Sequence, residues 1–361
     1  MQRSMRVLHL PVNIASQASI TVRALRDIGV DAQGIVINNS TIQENKGIRN
    51  FRTISLRKNP IRGAIRKASL FYLFQSVTRW ADVIHWHFNT SVLPKEMDLK
   101  YVNFLNKPRI VEFWGSDIRI PEIAVKDNPY FAKLLSNPDN DYHISFTKSR
   151  TTQEKFARYG FKCLIPGNEL LLYVQRDLFP TIFRTNGRII LSEFSPKYPD
   201  AIRQRPVVGH MPSRLMVKGT QSVLHAIEQL KKLYDFEFKL IHGVPHAKAV
   251  AMVRNCDIML DQFVVGGFGA AALEAMAMGK PVVCYIPSII KGLPPDFPIV
   301  NANQDNLAEV LGALLENGAL RHQIGRQSRA YAEKYHDAHK IARDLVKIYE
   351  ELIEKNSNKK A

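Results

Sequence analysis

The sequence predicts an α/β protein with two domains, each built around a parallel sheet. Short runs rich in β-branched residues alternate with helix-like patterns, which is the order that helical crossovers between parallel strands produce. The 361 residues are enough for two domains that each bury a core. With 45% apolar and 23% charged residues, the composition is that of a globular protein and argues against extended disorder.

The predicted strands fall into two groups, one in each half of the chain. The first group comprises residues 6–10, 32–37, 82–87, 109–113 and 142–147. The second comprises residues 206–210, 237–241, 257–260, 281–285 and 298–300. Prolines and charges interrupt the alternation after Phe183. We therefore place an N-terminal domain at residues 1–183, a linker at 184–205, a second domain at 206–338 and an amphipathic C-terminal helix at 339–361.

The formal net charge is +17, and much of it lies in one segment without acidic residues between Glu44 and Asp82. That segment holds nine basic residues: Lys46, Arg49, Arg52, Arg57, Lys58, Arg62, Arg66, Lys67 and Arg79. Such a segment indicates an anionic partner, which is a membrane surface, nucleic acid or a polyanionic acceptor.

We favour an anionic membrane surface as the partner of residues 46–80. Asn59 and Pro60 predict the start of a helix that continues to Trp80. Basic residues next to the apolar run 70–74 are typical of an interfacial helix, and the segment lacks the interleaved aromatics of a nucleic-acid platform. We therefore expect no nucleic acid. A buried helix with a solvated basic end is the alternative.

Cysteine usage and hydropathy bear on the compartment. Cys163, Cys256 and Cys284 are scattered, which favours reduced structural thiols over a disulfide or zinc framework. No apolar run reaches the roughly 18 residues that span a bilayer. The chain enters its first strand without an apolar signal core. We therefore expect a cytoplasmic protein that lies peripherally on the inner face of the membrane.

The segment from Gly266 to Val283 combines a glycine-rich loop, a small-residue helix and a tight turn into a strand. Glycines let the backbone approach a ligand closely, and a helix N-terminus attracts an anion. Glu274, inside this helix, can accept hydrogen bonds from a diol. Phosphate and diol together describe a nucleotide sugar. A close-packed helix in an α/β core is the plainer alternative.

This segment resembles the donor site of retaining glycosyltransferases of family 4, which have the GT-B fold. The stretch from Val207 to Thr220 is similar to the first strand and basic loop of their C-terminal domain. The resemblance implies two Rossmann-like domains whose parallel sheets face a central cleft, with the last helix returning to the N-terminal domain. It implies donor contacts from Arg214, Lys218, Gly267, Phe268, Gly269 and Glu274.

One position departs from the family pattern. Family members carry two glutamates, and the first contacts the donor sugar. Glu274 matches the second, but Gly266 stands where the first is expected. The resemblance therefore leaves the donor sugar open, together with the nucleotide base and the acceptor.

Two strand ends in the first half supply candidate catalytic residues. His85 and His87 lie on one face of the strand at residues 82–87. The resemblance implies that His87 contacts the donor sugar or helps to move the acceptor proton. We interpret His85 as structural. Asp117 follows the strand at residues 109–113 in a Gly-Ser-Asp loop. It binds acceptor hydroxyls or acts as base, with a turn cap as the alternative. A satisfied core histidine is the alternative for His87.

The sequence thus predicts a metal-independent, cofactor-free retaining glycosyltransferase of the hexosyltransferase type. The donor is a nucleotide sugar. The acceptor is a membrane-associated, lipid-linked or glycan molecule in cell-surface polysaccharide or glycolipid synthesis. A sugar-nucleotide epimerase of the same fold and a non-catalytic binder of nucleotide sugar or nucleic acid are the alternatives. The sequence contains no zinc-ligand spacing, P-loop or nucleophile elbow.

Overall fold

A computed structural model describes residues 4–37, 45–51 and 59–358, and the chain forms two compact units. Unit 1 comprises Met1–Ile118, Thr147–Arg188 and Ala338–Ala361, and unit 2 comprises Arg119–Phe146 and Ile189–Asp337. The sequence-based division assigned residues 119–146 to the first domain, whereas their contacts group them with unit 2. Each unit is built around a parallel sheet, which confirms the predicted α/β class.

Unit 1 contains a seven-stranded sheet in the order β3-β2-β1-β4-β5-β6-β7. Its strands are β1 (Arg6–Leu10), β2 (Asp31–Val36), β3 (Arg49–Asn50), β4 (Val83–His87), β5 (Arg109–Glu112), β6 (Lys162–Pro166) and β7 (Ile182–Thr185). All neighbouring strands are parallel. The chain runs outward from β1 in one direction and resumes at β4 in the other. A topological switch point therefore lies between β1 and β4, where open α/β sheets bind ligands.

Unit 2 contains a five-stranded parallel sheet in the order β12-β11-β10-β8-β9. Its strands are β8 (Val207–His210), β9 (Glu237–Leu240), β10 (Ile258–Leu260), β11 (Val282–Cys284) and β12 (Val300–Asn301). The switch point here lies between β8 and β10. Apolar clusters form the core, one containing Ile227 and Leu311 and another containing Val253 and Met276.

Helices cover both sheets. In chain order they are α1 (Gln17–Asp27), α2 (Pro60–Trp80), α3 (Met97–Phe104), α4 (Pro121–Ala124), α5 (Pro129–Leu135), α6 (Phe146–Arg158), α7 (Leu215–Lys218), α8 (Thr220–Leu230), α9 (His246–Arg254), α10 (Ala270–Ala277), α11 (Leu307–Glu316), α12 (Gly318–Tyr335) and α13 (Ala338–Asn358). The last helix, α13, packs against α1 and β4 in unit 1. Asn59 caps α2 as predicted, because its side-chain oxygen accepts the N–H of Arg62 at 3.0 Å.

The strand predicted at residues 142–147 is wrong. The N–H of Tyr142 donates to the side chain of Asn140 at 2.7 Å, and the Tyr142 ring packs on Phe131, so residues 142–145 are irregular and pair with no strand. α6 then begins at Phe146. The place beside β5 is taken by β6, which was not predicted. β7 was also missed, because it spans the predicted boundary between the first domain and the linker, where the alternation weakens.

The structure bears on the expectations about the three cysteines and about membrane-spanning helices. Cys163, Cys256 and Cys284 are buried free thiols. Across the described residues, no helix is both long enough and apolar enough to cross a bilayer.

Candidate active site

The predicted donor-binding residues of unit 2 lie after the strands that flank its switch point. Arg214 and Lys218 follow β8, with Lys218 ending the short helix α7. The glycine loop follows β10 and leads into α10, whose N-cap is Gly269. Because the carboxyl ends of parallel strands share one edge, the topology brings these segments together.

Lys218 and the N-terminus of α10 share one carboxylate. The ammonium of Lys218 donates to Oδ1 of Asp261 at 2.6 Å and to Oε1 of Gln262 at 2.9 Å. The other oxygen of Asp261 accepts the N–H of Gly269 at 2.7 Å. Two groups predicted to hold the donor diphosphate are therefore joined through Asp261. Sequence reasoning did not single out Asp261, although an acid directly after a buried strand was a usable signal.

Arg214 differs from Lys218 in its exposure. About 50% of its side chain is exposed, and Nη1 lies 3.8 Å from Asp141. Its guanidinium also lies over the ring of Tyr142, 5.8 Å from the centroid. A partly solvated guanidinium can turn toward an incoming phosphate at little cost. Arg214 thus supplies an accessible positive charge, whereas the charge of Lys218 is compensated by Asp261.

The conformation of the glycine loop is incompatible with a glutamate at position 266. Gly266 has φ +82°, a conformation that side chains rarely adopt, and a Cβ there would lie 2.5 Å from Cγ of Pro287. The amide of Gln262 donates to the carbonyl oxygens of Gly266 and Gly267 at 2.6 and 2.8 Å. The loop is therefore fixed in a shape that a glutamate at position 266 would disrupt.

Phe268 points its ring into unit 2. Its centroid lies 5.8 Å from the ring of Phe297 and 5.8 Å from the ring of His336. These contacts anchor the glycine loop to the apolar core. Packing accounts for Phe268, and a donor contact by it stays a prediction.

Glu274 offers an acceptor for a ligand hydroxyl. Its Oε1 accepts a hydrogen bond from Nε2 of His246 at 2.8 Å. Its Oε2 is buried and has no hydrogen-bond partner among the described residues. A buried carboxylate oxygen without a donor is unfavourable, so a ligand hydroxyl there would be stabilising. His246 is a candidate that the sequence did not reveal, since nothing in its spacing links it to Glu274.

Unit 1 holds a buried polar cluster beside its own switch point. His9 lies on β1, His85 and His87 lie on β4, and Glu112 ends β5. All four are at most 1% exposed. Strand register places His9 beside His85 and His87 beside Glu112. Oε2 of Glu112 lies 3.2 Å from Nε2 of His85 and 3.3 Å from Nδ1 of His87.

Two further side chains contact this histidine cluster, which consists of His9, His85, His87 and Glu112. Nη2 of Arg188 donates to Oε1 of Glu112 in a fully buried ion pair. The hydroxyl of Tyr349, on α13, lies 2.7 Å from Nδ1 of His85. Gln17 accepts the backbone N–H of Arg188 at 2.8 Å and donates to its carbonyl oxygen at 3.0 Å. The polar groups of the cluster thus find most of their partners inside unit 1.

The contacts indicate which ring nitrogens carry protons. A carboxylate only accepts, so we place an N–H group on Nε2 of His85, facing Glu112. Nδ1 of His87 lies between Oε2 of Glu112 at 3.3 Å and the indole N–H of Trp114, which donates to it at 3.4 Å. Nε2 of His87 and Nδ1 of His9 lie 2.9 Å apart and share one proton in a hydrogen bond. Nδ1 of His85 accepts from the hydroxyl of Tyr349. This assignment leaves all three imidazoles neutral.

Burial favours the same neutral state. It lowers the pKa of His85 to about 4 and also lowers the pKa values of His9 and His87. Burial alone would raise the pKa of Glu112, but the charge of Arg188 and the two histidine contacts hold it well below its usual value. The carboxylate therefore stays ionised beside neutral imidazoles.

Within the described residues, His9, His85 and His87 are close enough to be considered as metal ligands, with nitrogen atoms within 4.8 Å of one another. A metal ion must lie near the plane of each imidazole that binds it. The rings of His85 and His87 are stacked, with centroids 4.4 Å apart and an interplanar angle of 6°. Their lone pairs therefore run along separate planes. This arrangement suits hydrogen bonding better than tetrahedral metal ligation.

Comparisons with known proteins identify the second half of the chain. Residues 209–331, which include the donor-site candidates of unit 2, match the family of glycosyl transferases group 1. This chain carries a glycosyl transferases group 1 domain. An uncharacterised glycosyltransferase of Methanocaldococcus jannaschii is 22% identical over 301 residues, 75% of this chain and 76% of that protein. An MMP α-(1→4)-mannosyltransferase of Mycolicibacterium hassiacum is 24% identical over 170 residues, 38% of this chain and 41% of that protein.

Solved glycosyltransferase structures share the fold along nearly the whole chain. Sucrose-phosphate synthase from Thermosynechococcus elongatus has a TM-score of 0.67 at 12% identity, covering 98% of this chain and 100% of that one. WaaG, a glycosyltransferase involved in lipopolysaccharide biosynthesis, has a TM-score of 0.55 at 13% identity, covering 96% and 99%. The fold is therefore GT-B. Together with the group 1 domain, it makes the chain a glycosyltransferase, which implies a nucleotide-sugar donor and a glycan acceptor.

The two predicted catalytic residues of the glycosyltransferase are both buried in unit 1. His87 belongs to the histidine cluster and is 1% exposed. Asp117 accepts the N–H groups of Trp114 at 3.0 Å and of Gly115 at 2.8 Å, which is the turn-capping arrangement. Internal partners thus account for both side chains. Roles for them in catalysis stay predictions.

Proposed function

We propose that this glycosyltransferase transfers a hexose from a nucleotide sugar with retention of configuration, using unit 2 for the donor and unit 1 for the acceptor. One observation carries the donor assignment. Lys218, Arg214 and the N-terminus of α10 follow the two strands at the switch point of the unit 2 sheet. Cations and helix N–H groups at such an edge suit a diphosphate. The free oxygen of Glu274 suits a ribose hydroxyl.

Catalysis would then rest on electrostatic stabilisation of the leaving nucleoside diphosphate. Positive groups fixed before the reaction stabilise charge as it develops, at no cost of reorganisation. We assign this task to Lys218, Arg214 and the helix N-terminus, in place of a metal ion. The acceptor hydroxyl would attack from the face that the diphosphate leaves, as in the proposal for family 4.

Turnover of nucleotide sugars tests the proposal directly. The protein is incubated with radiolabelled UDP-glucose, UDP-N-acetylglucosamine, GDP-mannose and ADP-glucose, and release of sugar is scored with and without added glycan or lipid acceptors. Calorimetry with uridine, guanosine and adenosine diphosphates gives the base preference. We expect one diphosphate to bind and its sugar to be released. Binding without any turnover would favour a non-catalytic nucleotide-sugar protein, and a changed sugar on the intact nucleotide would reveal an epimerase.

We also propose that α2 docks the enzyme on anionic lipid at the cytoplasmic face of a membrane. Residues 60–69 are exposed except for Gly63, and Ile61 and Ile65 are 74% and 60% exposed. Arg62 and Arg66 lie one turn apart among them. Exposed isoleucines next to cations, with no nearby acid in the sequence, suit a negatively charged apolar interface. Arg52, Arg57 and Lys58, which belong to the predicted segment, lie outside the described residues.

The second half of α2 has a different role from the first. Leu70 and Phe74, which the sequence left open between membrane and core, are 4% and 2% exposed. They hold α2 to unit 1 and leave the isoleucine-bearing half free. Docking in this way would bring the enzyme to lipid-linked or glycan acceptors of cell-surface polysaccharide or glycolipid synthesis.

Vesicle flotation tests the docking proposal. Basic residues at an anionic surface contribute about 1 kcal/mol each, and salt screens them. We expect wild type to float with anionic vesicles at low salt, and a variant with Arg62, Arg66 and Lys67 all changed to Ser to stay behind. The matched control changes three exposed lysines of unit 2, Lys133, Lys231 and Lys232, to Ser. Equal loss in both variants, or preference for DNA over vesicles, would refute docking through α2.

A further inference from the structure

The acid next to the donor-site candidates is held on a rigid backbone. Asp261 directly follows β10, and its N–H donates to the carbonyl oxygen of Val283 at 3.0 Å. It is 3% exposed. Neither the family pattern nor the spacing of the sequence gives this residue a role. Its position is fixed by the sheet, so the groups bonded to its side chain are fixed as well.

The two oxygens of Asp261 are divided between two different elements. One accepts from the Lys218 ammonium on α7, and the other accepts from the Gly269 N–H at the start of α10. Gln262 holds the same two elements, because its side-chain oxygen accepts from Lys218 and its amide nitrogen donates to the glycine loop. Adjacent side chains thus set the distance between a cation and a helix N-terminus.

We propose that Asp261 is a positioning residue for the transfer reaction, which rests on the donor site proposed above. Its carboxylate aims Lys218 and the first turn of α10 at the departing diphosphate. It does not need to touch the sugar. In this chain a charged residue after β10 takes over part of the organisation of the donor site, while position 266 is restricted to glycine.

A carboxylate is required because both contacts need an acceptor. An ammonium has three N–H donors, and Asp261 and Gln262 engage two of them, which leaves one for a phosphate oxygen. An asparagine in place of Asp261 has a single acceptor oxygen, and its NH₂ would face either the ammonium or the Gly269 N–H. One of the two contacts would therefore be lost although the shape is conserved.

The charge of Asp261 acts against ground-state binding of the donor. A negative group close to the site repels a diphosphate, so removing its charge does not weaken diphosphate binding by electrostatics. Loss of positioning has the opposite effect on the reaction, because small displacements of a stabilising group can reduce the rate about 100-fold. The proposal therefore predicts opposite signs for affinity and for turnover.

The test compares Asp261→Asn with Asp257→Asn. Asp257 precedes β10, is also buried, and binds the Val207 N–H at 2.7 Å and Arg203 at 3.1 Å, away from the donor candidates. Binding of uridine, guanosine and adenosine diphosphates is measured by calorimetry, and kcat is measured with the nucleotide sugar that wild type hydrolyses. For Asp261→Asn we expect kcat to fall about 10–100-fold, with diphosphate affinity equal or tighter. For Asp257→Asn we expect lower stability and unchanged kcat.

Two further variants keep the proposal open to refutation if Asp261→Asn folds poorly. Asp261→Glu keeps the charge but moves it, so kcat should fall without any gain in diphosphate affinity. In a Lys218→Met background, Asp261→Asn should reduce kcat by a smaller factor than in wild type, because one of the two groups that Asp261 positions is already absent. Full additivity, or unchanged kcat in every Asp261 variant that binds diphosphate, would overturn the positioning role. If wild type binds no diphosphate, the donor site itself fails, and the inference fails with it.

Discussion

Each unit of the molecule places one buried carboxylate beside its switch point, and the two carboxylates differ in what surrounds them. Glu112 in unit 1 is paired with Arg188 and faces two neutral histidines, and every one of these groups is buried. Asp261 in unit 2 is paired with Lys218 and with the start of α10. Arg214, which follows β8 in the same unit, is half exposed.

The comparison shows how similar topology supports two kinds of polar cluster. In unit 1 the partners of the carboxylate are Arg188 and the two histidines of β4, and all of them are buried. The cluster is closed in the sense that no ligand reaches it, although Nε2 of His9 and Nη1 of Arg188 lack a hydrogen-bond partner among the described residues. In unit 2 the Arg214 side chain is half exposed and accessible to a ligand, and Oε2 of Glu274 is buried without a hydrogen-bond partner among the described residues. We infer that the first cluster chiefly stabilises its unit and that the second binds substrate. The predictions below test that division.

The largest effect is expected from breaking the closed cluster. Glu112→Gln leaves Arg188 buried without its counter-charge, and breaking a buried pair costs about 3–5 kcal/mol. The free energy of unfolding in urea measures the loss. The control is Asp82→Asn, because Asp82 pairs with Arg6 at 2.8 Å with a third of its side chain exposed. Such exposed pairs contribute at most about 1 kcal/mol. Similar losses for both variants would contradict the structural role of the cluster.

Acid is expected to weaken the same cluster. The pKa values of His9, His85 and His87 are lowered in the folded protein, whereas unfolded histidine titrates near 6.5. Below about pH 6.5 the unfolded state therefore binds more protons, and stability is lost as pH falls toward 4. Each unit of pKa difference corresponds to about 1.4 kcal/mol. Glu112, whose pKa is also lowered, adds a further loss at lower pH.

Unfolding free energies measured from pH 7.5 to 4.5 check this dependence. The slope should be positive with pH and should shrink in His9→Asn, which removes one of the buried imidazoles. A flat profile in wild type would mean that these histidines bind protons equally in the folded and unfolded states, so that folding does not lower their pKa values. It would also contradict the proton assignment made from their contacts.

Substitutions in the open site should change the affinity for nucleoside diphosphate and leave the melting temperature unchanged. Arg214→Ala removes a charge-assisted contact to phosphate, which is worth about 1.5–3 kcal/mol. Calorimetry with the preferred nucleoside diphosphate should show this loss at an unchanged melting temperature. Arg205→Ala is the control, because Arg205 is another exposed arginine of unit 2 and pairs with Asp235. Unchanged affinity in Arg214→Ala would remove Arg214 from the donor site.

Sequence patterns indicated the segments of the open site more directly than those of the closed one. The segment from Gly266 to Val283 is continuous in the chain, so a glycine loop, a helix start and Glu274 were visible together. The closed cluster joins His9 to His87, which are 78 positions apart and meet only because β1 pairs with β4. Asp261 and Lys218 are 43 positions apart, and their pairing also depends on strand order.

The strand predictions show the same contrast between local patterns and pairings that depend on the whole fold. Strands with strong β-branched runs were predicted within one or two residues of their positions in the sheets. The run at residues 142–147 has the right alternation, yet Asn140 turns the chain there and β6 fills the place beside β5. Alternation of residue types in the sequence does not determine which of two candidate segments pairs with β5, because that pairing depends on the rest of the fold.

The smallest effect is expected from a change of charge without a change of shape at the open site. Glu274→Gln keeps the side chain but replaces a carboxylate oxygen by an amide group, and a hydrogen bond to a neutral group is weaker by about 1 kcal/mol. If Oε2 binds a ribose hydroxyl, KM for the nucleotide sugar should rise several-fold while the melting temperature stays within a degree or two of wild type.

Glu228→Gln changes an exposed acid on α8 and controls for the loss of one negative charge. His246→Gln sharpens the result, because it removes only the group that holds Oε1 and should raise KM less than Glu274→Gln does. A Glu274→Gln enzyme that loses stability but keeps its KM would place Glu274 with the structural carboxylates such as Glu112, and the division between the two clusters would no longer hold.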